Sequence, residues 1–86
     1  MADPAFTGSF LRRIVELEKL ATRAELQLLD TTLARIVNDP HLSGRFATFY
    51  DPALPTFFLR AAPFLIEFAV EERSDRVTFI SLFYQP

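Results

Sequence analysis

Apolar residues along the chain change their period near its middle. Phe10, Ile14, Leu17 and Ala21 recur at spacings of 4, 3 and 4, and Leu26, Leu29, Leu33 and Ile36 at 3, 4 and 3. Each set lines one side of a 3.6-residue helix, so the pattern predicts two amphipathic helices, over roughly 9–20 and 23–37. Thr22-Arg23-Ala24-Glu25 between them fits a capping box, in which the threonine hydroxyl accepts from a backbone N–H and the glutamate reaches back to the threonine N–H. A break this short folds the helices into a hairpin. Asn38-Asp39-Pro40 ends the second helix, because proline lacks the N–H for the ladder and disfavours helical geometry in the residue before it.

Beyond Pro40 the period becomes that of a strand. Short strands are predicted over Phe46 to Tyr50 and Thr56 to Ala61, separated by the turn-rich Asp51-Pro52-Ala53-Leu54-Pro55. After a bend at Pro63, Phe64, Ile66, Phe68 and Val70 alternate with Leu65, Glu67, Ala69 and Glu71. Arg73-Ser74-Asp75-Arg76 is a polar turn into a last strand, where Val77, Phe79, Ser81 and Phe83 alternate with Thr78, Ile80, Leu82 and Tyr84. Both of its faces carry large side chains, so Ile80, Leu82 and Tyr84 need a second cover, from sheet curvature or from a partner. Helices first and strands second predict one α+β domain over 1–86, an N-terminal helical hairpin packed on a small antiparallel β-meander sheet. Met1 to Gly8 carries no strand pattern.

Composition narrows the chemistry. The 86 residues hold ten Phe, two Tyr and no Trp, and eight of the ten Phe fall between Phe46 and Phe83. Phenyl rings thus build both the core and any partner surface of the β half. The absence of cysteine excludes disulfides and thiolate metal sites, and a single histidine excludes multi-histidine clusters, so neither a metal nor a cofactor is expected. A formal charge of −2 sets no general attraction to nucleic acid. The start of the chain lacks a basic segment followed by an apolar run, and no long apolar stretch occurs elsewhere, so neither a signal peptide nor a membrane span is expected and the location is read as cytoplasmic. Arg12-Arg13, Arg23 and Arg35 with Glu16, Glu18 and Asp30 read as solvated helix faces, with Arg12 and Glu16 spaced as an (i, i+4) pair.

The order of these features resembles the RelE/ParE superfamily of bacterial toxins. The residues that carry the resemblance are Asn38-Asp39-Pro40 with Gly44-Arg45, the run from Leu59-Arg60 through Ala61-Ala62-Pro63 to Val70, and Val77 to Leu82. It extends over roughly residues 9–84. It implies a toxin of a type II toxin–antitoxin system, of the kind associated with plasmid stabilisation, neutralised by a cognate antitoxin protein. Its targets would be DNA gyrase or the ribosome, and it would form a homodimer or a hetero-oligomer with the antitoxin. Ribonuclease members are similar to one another in placing a basic residue where this chain has Leu65, and in ending the last strand with basic residues where this chain has Phe83-Tyr84-Gln85-Pro86. These departures align the expected activity with target binding of the gyrase type. The alternatives are a ribosome-dependent messenger endonuclease and a non-toxic, self-associating adaptor.

RNA cleavage through a 2′-hydroxyl needs a base, an acid and a cation for the developing phosphorane charge. Arg60 is the candidate phosphate clamp and Tyr84 the candidate proton donor or stacking platform, with Arg45 as a further cation and His41 or Glu67 as the base. Each also has a structural reading. Arg60 covers the sheet with its stem and pairs with Glu67, Tyr84 packs on the sheet edge, His41 is a loop residue beyond the second helix, and Glu67 meets a cross-strand cation or solvent. For the antitoxin surface, Phe46, Phe49, Phe57, Leu82 and Phe83 are the candidates.

Overall fold

The computed structural model describes residues 2–48 and 55–86. Its elements run β1 (Asp3–Phe6), α1 (Gly8–Leu20), α2 (Arg23–Asn38), β2 (Phe46–Thr48), β3 (Thr56–Ala61), β4 (Phe64–Glu71) and β5 (Arg76–Tyr84). The sheet order is β1-β5-β4-β3-β2, antiparallel from β2 to β5 and parallel between β1 and β5. The helical hairpin and the meander therefore form as the periodicity predicts.

Both helices start on threonine caps. Thr7 Oγ1 accepts from the Phe10 N–H at 3.1 Å, and Phe10 and Leu17 are the buried face of α1. At Thr22 the predicted box is complete: Glu25 N–H donates to Thr22 Oγ1 at 3.1 Å, and Thr22 N–H donates to Glu25 Oε1 at 2.8 Å. Leu29, Thr32 and Ile36 are buried on α2, where the Thr32 hydroxyl donates to the Leu28 carbonyl at 2.7 Å and so enters the core already satisfied. The ion pair of Glu16 is with Arg13 at 2.8 Å, one residue nearer than the Arg12 of the expected pair.

The strand β1 is a departure from the sequence pattern. Asp3 and Pro4 are poor strand formers, and four residues are too few to show alternation. The segment is held by position instead: Ala2 N–H donates to Val37 O at 3.1 Å, Asp3 N–H to Asp75 O at 2.8 Å and Thr7 N–H to Phe79 O at 3.0 Å. Pro4 fits because this is an edge strand, where a missing N–H costs no ladder bond on the open side. The result is a mixed sheet.

A second departure decides which residues reach the core. The β4–β5 register shifts between Glu67 and Phe68: Glu67 faces Ser81 while Phe68 faces Phe79, so Ile80 is an extra residue on β5. A bulge of one residue resets the alternation beyond it. Val77, Phe79, Leu82 and Tyr84 therefore share the helix-covered face, in place of the expected Val77, Phe79, Ser81 and Phe83. The Ile80 carbonyl at the bulge accepts from the Thr7 hydroxyl at 2.7 Å, so one side chain both caps α1 and satisfies the irregular strand. Phe10, Phe64, Phe68 and Phe79 are fully buried beneath the helices, and the Phe6, Phe10 and Phe79 rings lie 5.1 to 5.7 Å apart, which anchors β1 and α1 to β5.

Candidate functional site

The face of the sheet away from the helices carries the rows Arg60–Leu65–Phe83 and Phe58–Glu67–Ser81, with Phe46 opposite Phe58. Phe46 stacks on Phe58 with centroids 5.7 Å apart, and Phe58 lies 6.4 Å from Phe83, so three rings from three strands form one aromatic run. Phe46 is 53% exposed and Phe83 44%. These two candidate partner residues lie on the open face. Leu82 does not: the bulge turns it inward, where it is buried among the core side chains. Phe57 is half-buried on the helix side, 5.8 Å from Phe68, and Phe49 lies outside the described residues. Phe58 was legible as a member of this face only once the register to Phe46 was known.

Arg45 is built into the connection between α2 and β2. Its guanidinium donates to the Pro40 carbonyl at 2.8 Å, lies 3.1 Å from His41 Nδ1 and sits 3.8 Å above the Phe57 ring. Since a guanidinium only donates, His41 Nδ1 is the acceptor in this contact, and Nε2 on the other side of the ring lies 2.8 Å from Glu72 Oε1. The His41 main-chain N–H donates to Asp39 Oδ1 at 3.3 Å, as suits a loop residue past a helix end. Arg45 and His41 thus clasp this loop to β3 and to the β4–β5 turn.

Tyr84 is tied to the start of α2. Its hydroxyl donates to Glu25 Oε1 at 2.9 Å, the same carboxylate that closes the capping box on Thr22. The Thr22 backbone N–H first, then the Tyr84 hydroxyl, hold the Glu25 carboxyl below its ordinary range, whereas burial pushes the Tyr84 phenol up, helped by its bond to that carboxylate. The Tyr84 hydroxyl proton is thus engaged with the carboxylate that caps α2.

The three residues expected to act in RNA cleavage do not meet. Arg60 stands on the open face of β3, opposite Leu65, while Tyr84 and the Phe57 ring under Arg45 belong to the helix side. Phe57 and the row of Ala61, Phe64 and Tyr84 are four residues apart along β3, about 13 Å at ~3.3 Å per residue. Arg60 does not pair with Glu67 either: Glu67 is half-buried between Phe58 and Ser81, and among the described residues neither makes an ion pair. No three His, Asp or Glu side chains among the described residues gather as metal ligands. No described helix is long and apolar enough to cross a membrane.

No protein-family model matches the sequence, and no curated relative matches it. Solved structures do match the fold. The isolated RelE toxin of E. coli superposes with a TM-score of 0.73 at 15% identity, over 100% of this chain and 86% of that one. The intact E. coli RelBE toxin–antitoxin complex gives 0.72 at 15% identity, over 100% and 98%. The archaeal RelE–RelB complex of Pyrococcus horikoshii gives 0.79 at 7% identity, over 98% and 94%. The chain therefore has the RelE toxin fold from end to end, with both helices and the five-stranded mixed sheet.

Proposed function

We propose that this protein is the toxin of a type II toxin–antitoxin system, held inactive by a cognate antitoxin and acting in the cytoplasm by binding its target, with DNA gyrase the first candidate. The likeness to RelE over the whole chain carries the toxin part of this reading, and two of the structures described above are complexes with RelB. The binding part is supported by the placement of the candidate cleavage groups. Arg60 is separated from Tyr84 by the sheet, Tyr84 is committed to Glu25, Arg45 is committed to Pro40 and His41, and Leu65 holds the position beside Arg60 with an apolar side chain. What remains exposed is an aromatic run suited to protein contact.

Inducible expression of the chain alone, and then with the product of the adjacent gene, tests the proposal. Growth arrest by the chain alone, relief by the neighbour and co-purification of the two are expected. Gyrase supercoiling measured with purified toxin should fall, while messenger incubated with toxin and ribosomes stays intact. Normal growth of a host making soluble protein would overturn the toxin reading and leave the adaptor. Messenger cleavage that disappears in Arg60→Ala would replace target binding by ribonuclease activity.

A further inference from the structure

The face of the sheet away from the helices carries one charge of each sign among its rings. Its two rows, Phe46–Phe58–Glu67–Ser81 and Arg60–Leu65–Phe83, run across β2 to β5. Glu67 is half-buried and Arg60 exposed, and among the described residues neither makes a hydrogen bond or an ion pair. Arg60 stands opposite Leu65, so Glu67 is its diagonal neighbour on β4, about 7–8 Å away. The line between these two residues crosses the line from Phe58 to Phe83, whose ring centroids are 6.4 Å apart. The ring pair therefore stands between the two charges and keeps them from closing on each other.

An occupant of this face must bring an anion to Arg60, a cation to Glu67 and apolar groups to the rings. The face itself supplies that set when it is turned over. A two-fold axis lying in the sheet along the diagonal from Phe58 to Leu65 sets each of these on its own counterpart in a second copy and exchanges the other diagonal, so that Arg60 of each copy meets Glu67 of the other. With ~4.8 Å between strands and ~6.8 Å along two residues, the strands of the two sheets then cross at about 70°, toward the orthogonal mode of sheet packing. Four strands span about 14 Å, too little for the ~800 Å² per partner of a standard interface, so the contact is a reversible one.

We propose that the open face of the sheet joins two copies of this chain face to face, Phe58 and Leu65 packing about the two-fold and two Arg60–Glu67 ion pairs forming between the copies, with a dissociation constant of about 10–100 µM. Rings contribute the apolar contact, and the crossed charges fix its orientation. The dimer covers the aromatic run left exposed for target binding, so free protein at high concentration withdraws itself from its target. That consequence rests on the toxin reading; the contact itself does not.

Sedimentation equilibrium of the purified full chain tests the contact. Wild type is expected to pass from monomer to dimer between about 5 and 500 µM. Arg60→Glu and Glu67→Arg should each weaken the dimer at least about tenfold, because each sets like charges face to face, whereas Lys19→Glu in the last turn of α1 leaves it unchanged. An equimolar mixture of the Arg60→Glu and Glu67→Arg chains should dimerise to within about threefold of wild type, since two carboxylates on one copy then meet two guanidinium groups on the other. Neither a folding defect nor an ion pair within one chain gives that rescue. A monomeric wild type over the whole range, single variants that dimerise as wild type does, or a mixture that stays monomeric overturns the proposal. An open face protected from exchange only in complex with the adjacent gene product assigns it to that partner and overturns it too. Growth arrest by a chain that stays monomeric removes the dimer and leaves the toxin reading; dimerisation without growth arrest keeps the dimer and counts against that reading.

Discussion

At the scale of single residues, two polar side chains each serve two elements. Thr7 caps α1 and supplies the proton that the Ile80 carbonyl accepts. Thr7→Val removes both bonds while keeping the shape, and is expected to cost about 1–2 kcal/mol; Thr7→Ser should recover most of it, as read from denaturant midpoints. Glu25 joins Thr22 to Tyr84. Because the folded protein holds the Glu25 carboxyl below its ordinary value, the stability it contributes is present above the unfolded value and is lost as pH falls through the folded one. Tyr84 has the opposite sign. Its raised phenol contributes stability that is complete below the unfolded value and is lost as pH rises through the folded one. Glu25→Gln should therefore flatten the loss of stability on acidification through and below the ordinary glutamate range, and absorbance titration of wild type against Tyr84→Phe should place the missing phenol above the ordinary tyrosine value.

Among the elements, β5 shows what one extra residue does. Its alternation reads correctly as a strand, yet the bulge at Ile80 exchanges the faces of everything after it. Deleting Ile80 would remove the bulge and leave a continuous ladder, with Phe79, Leu82 and Tyr84 still toward the helices and Ser81 and Phe83 still on the open face. The deletion is expected to keep cooperative unfolding and, at low micromolar load, a monomeric size-exclusion profile, destabilised by about 1 kcal/mol through the lost Thr7 bond, whereas Ile80→Thr keeps both the bulge and that bond. The same logic explains why Leu82 is buried while Phe83 stands exposed on the open face. No apolar pattern marks a bulge, because its evidence lies in the partner strand and in Thr7, both distant in sequence.

For the whole molecule, the sheet separates two populations of phenyl rings. Phe10, Phe64, Phe68 and Phe79 make the core under the helices, and Phe46, Phe58 and Phe83 form the run on the open face. The double variant Phe46→Ser with Phe83→Ser is expected to bind less apolar dye and self-associate less, with a stability change within about 1 kcal/mol. Phe79→Ala, at the meeting of β1, α1 and β4, should cost about 3–5 kcal/mol in the same denaturation measurement. Contrast between these variants separates rings that hold the fold from rings exposed on the open face.

The sequence by itself determined the helical hairpin, its Thr22–Glu25 junction, the three antiparallel pairings and the α+β class, because helix period, capping and alternation act between residues near in the chain. It also placed Phe46 and Phe83 as surface candidates. The tertiary structure alone decided that Asp3–Phe6 is a strand, that Leu82 is core and that Arg60 and Tyr84 stand on opposite faces. Each of these depends on a register or an edge created by residues far away along the chain, and a one-residue shift there turns a side chain from one face of the sheet to the other.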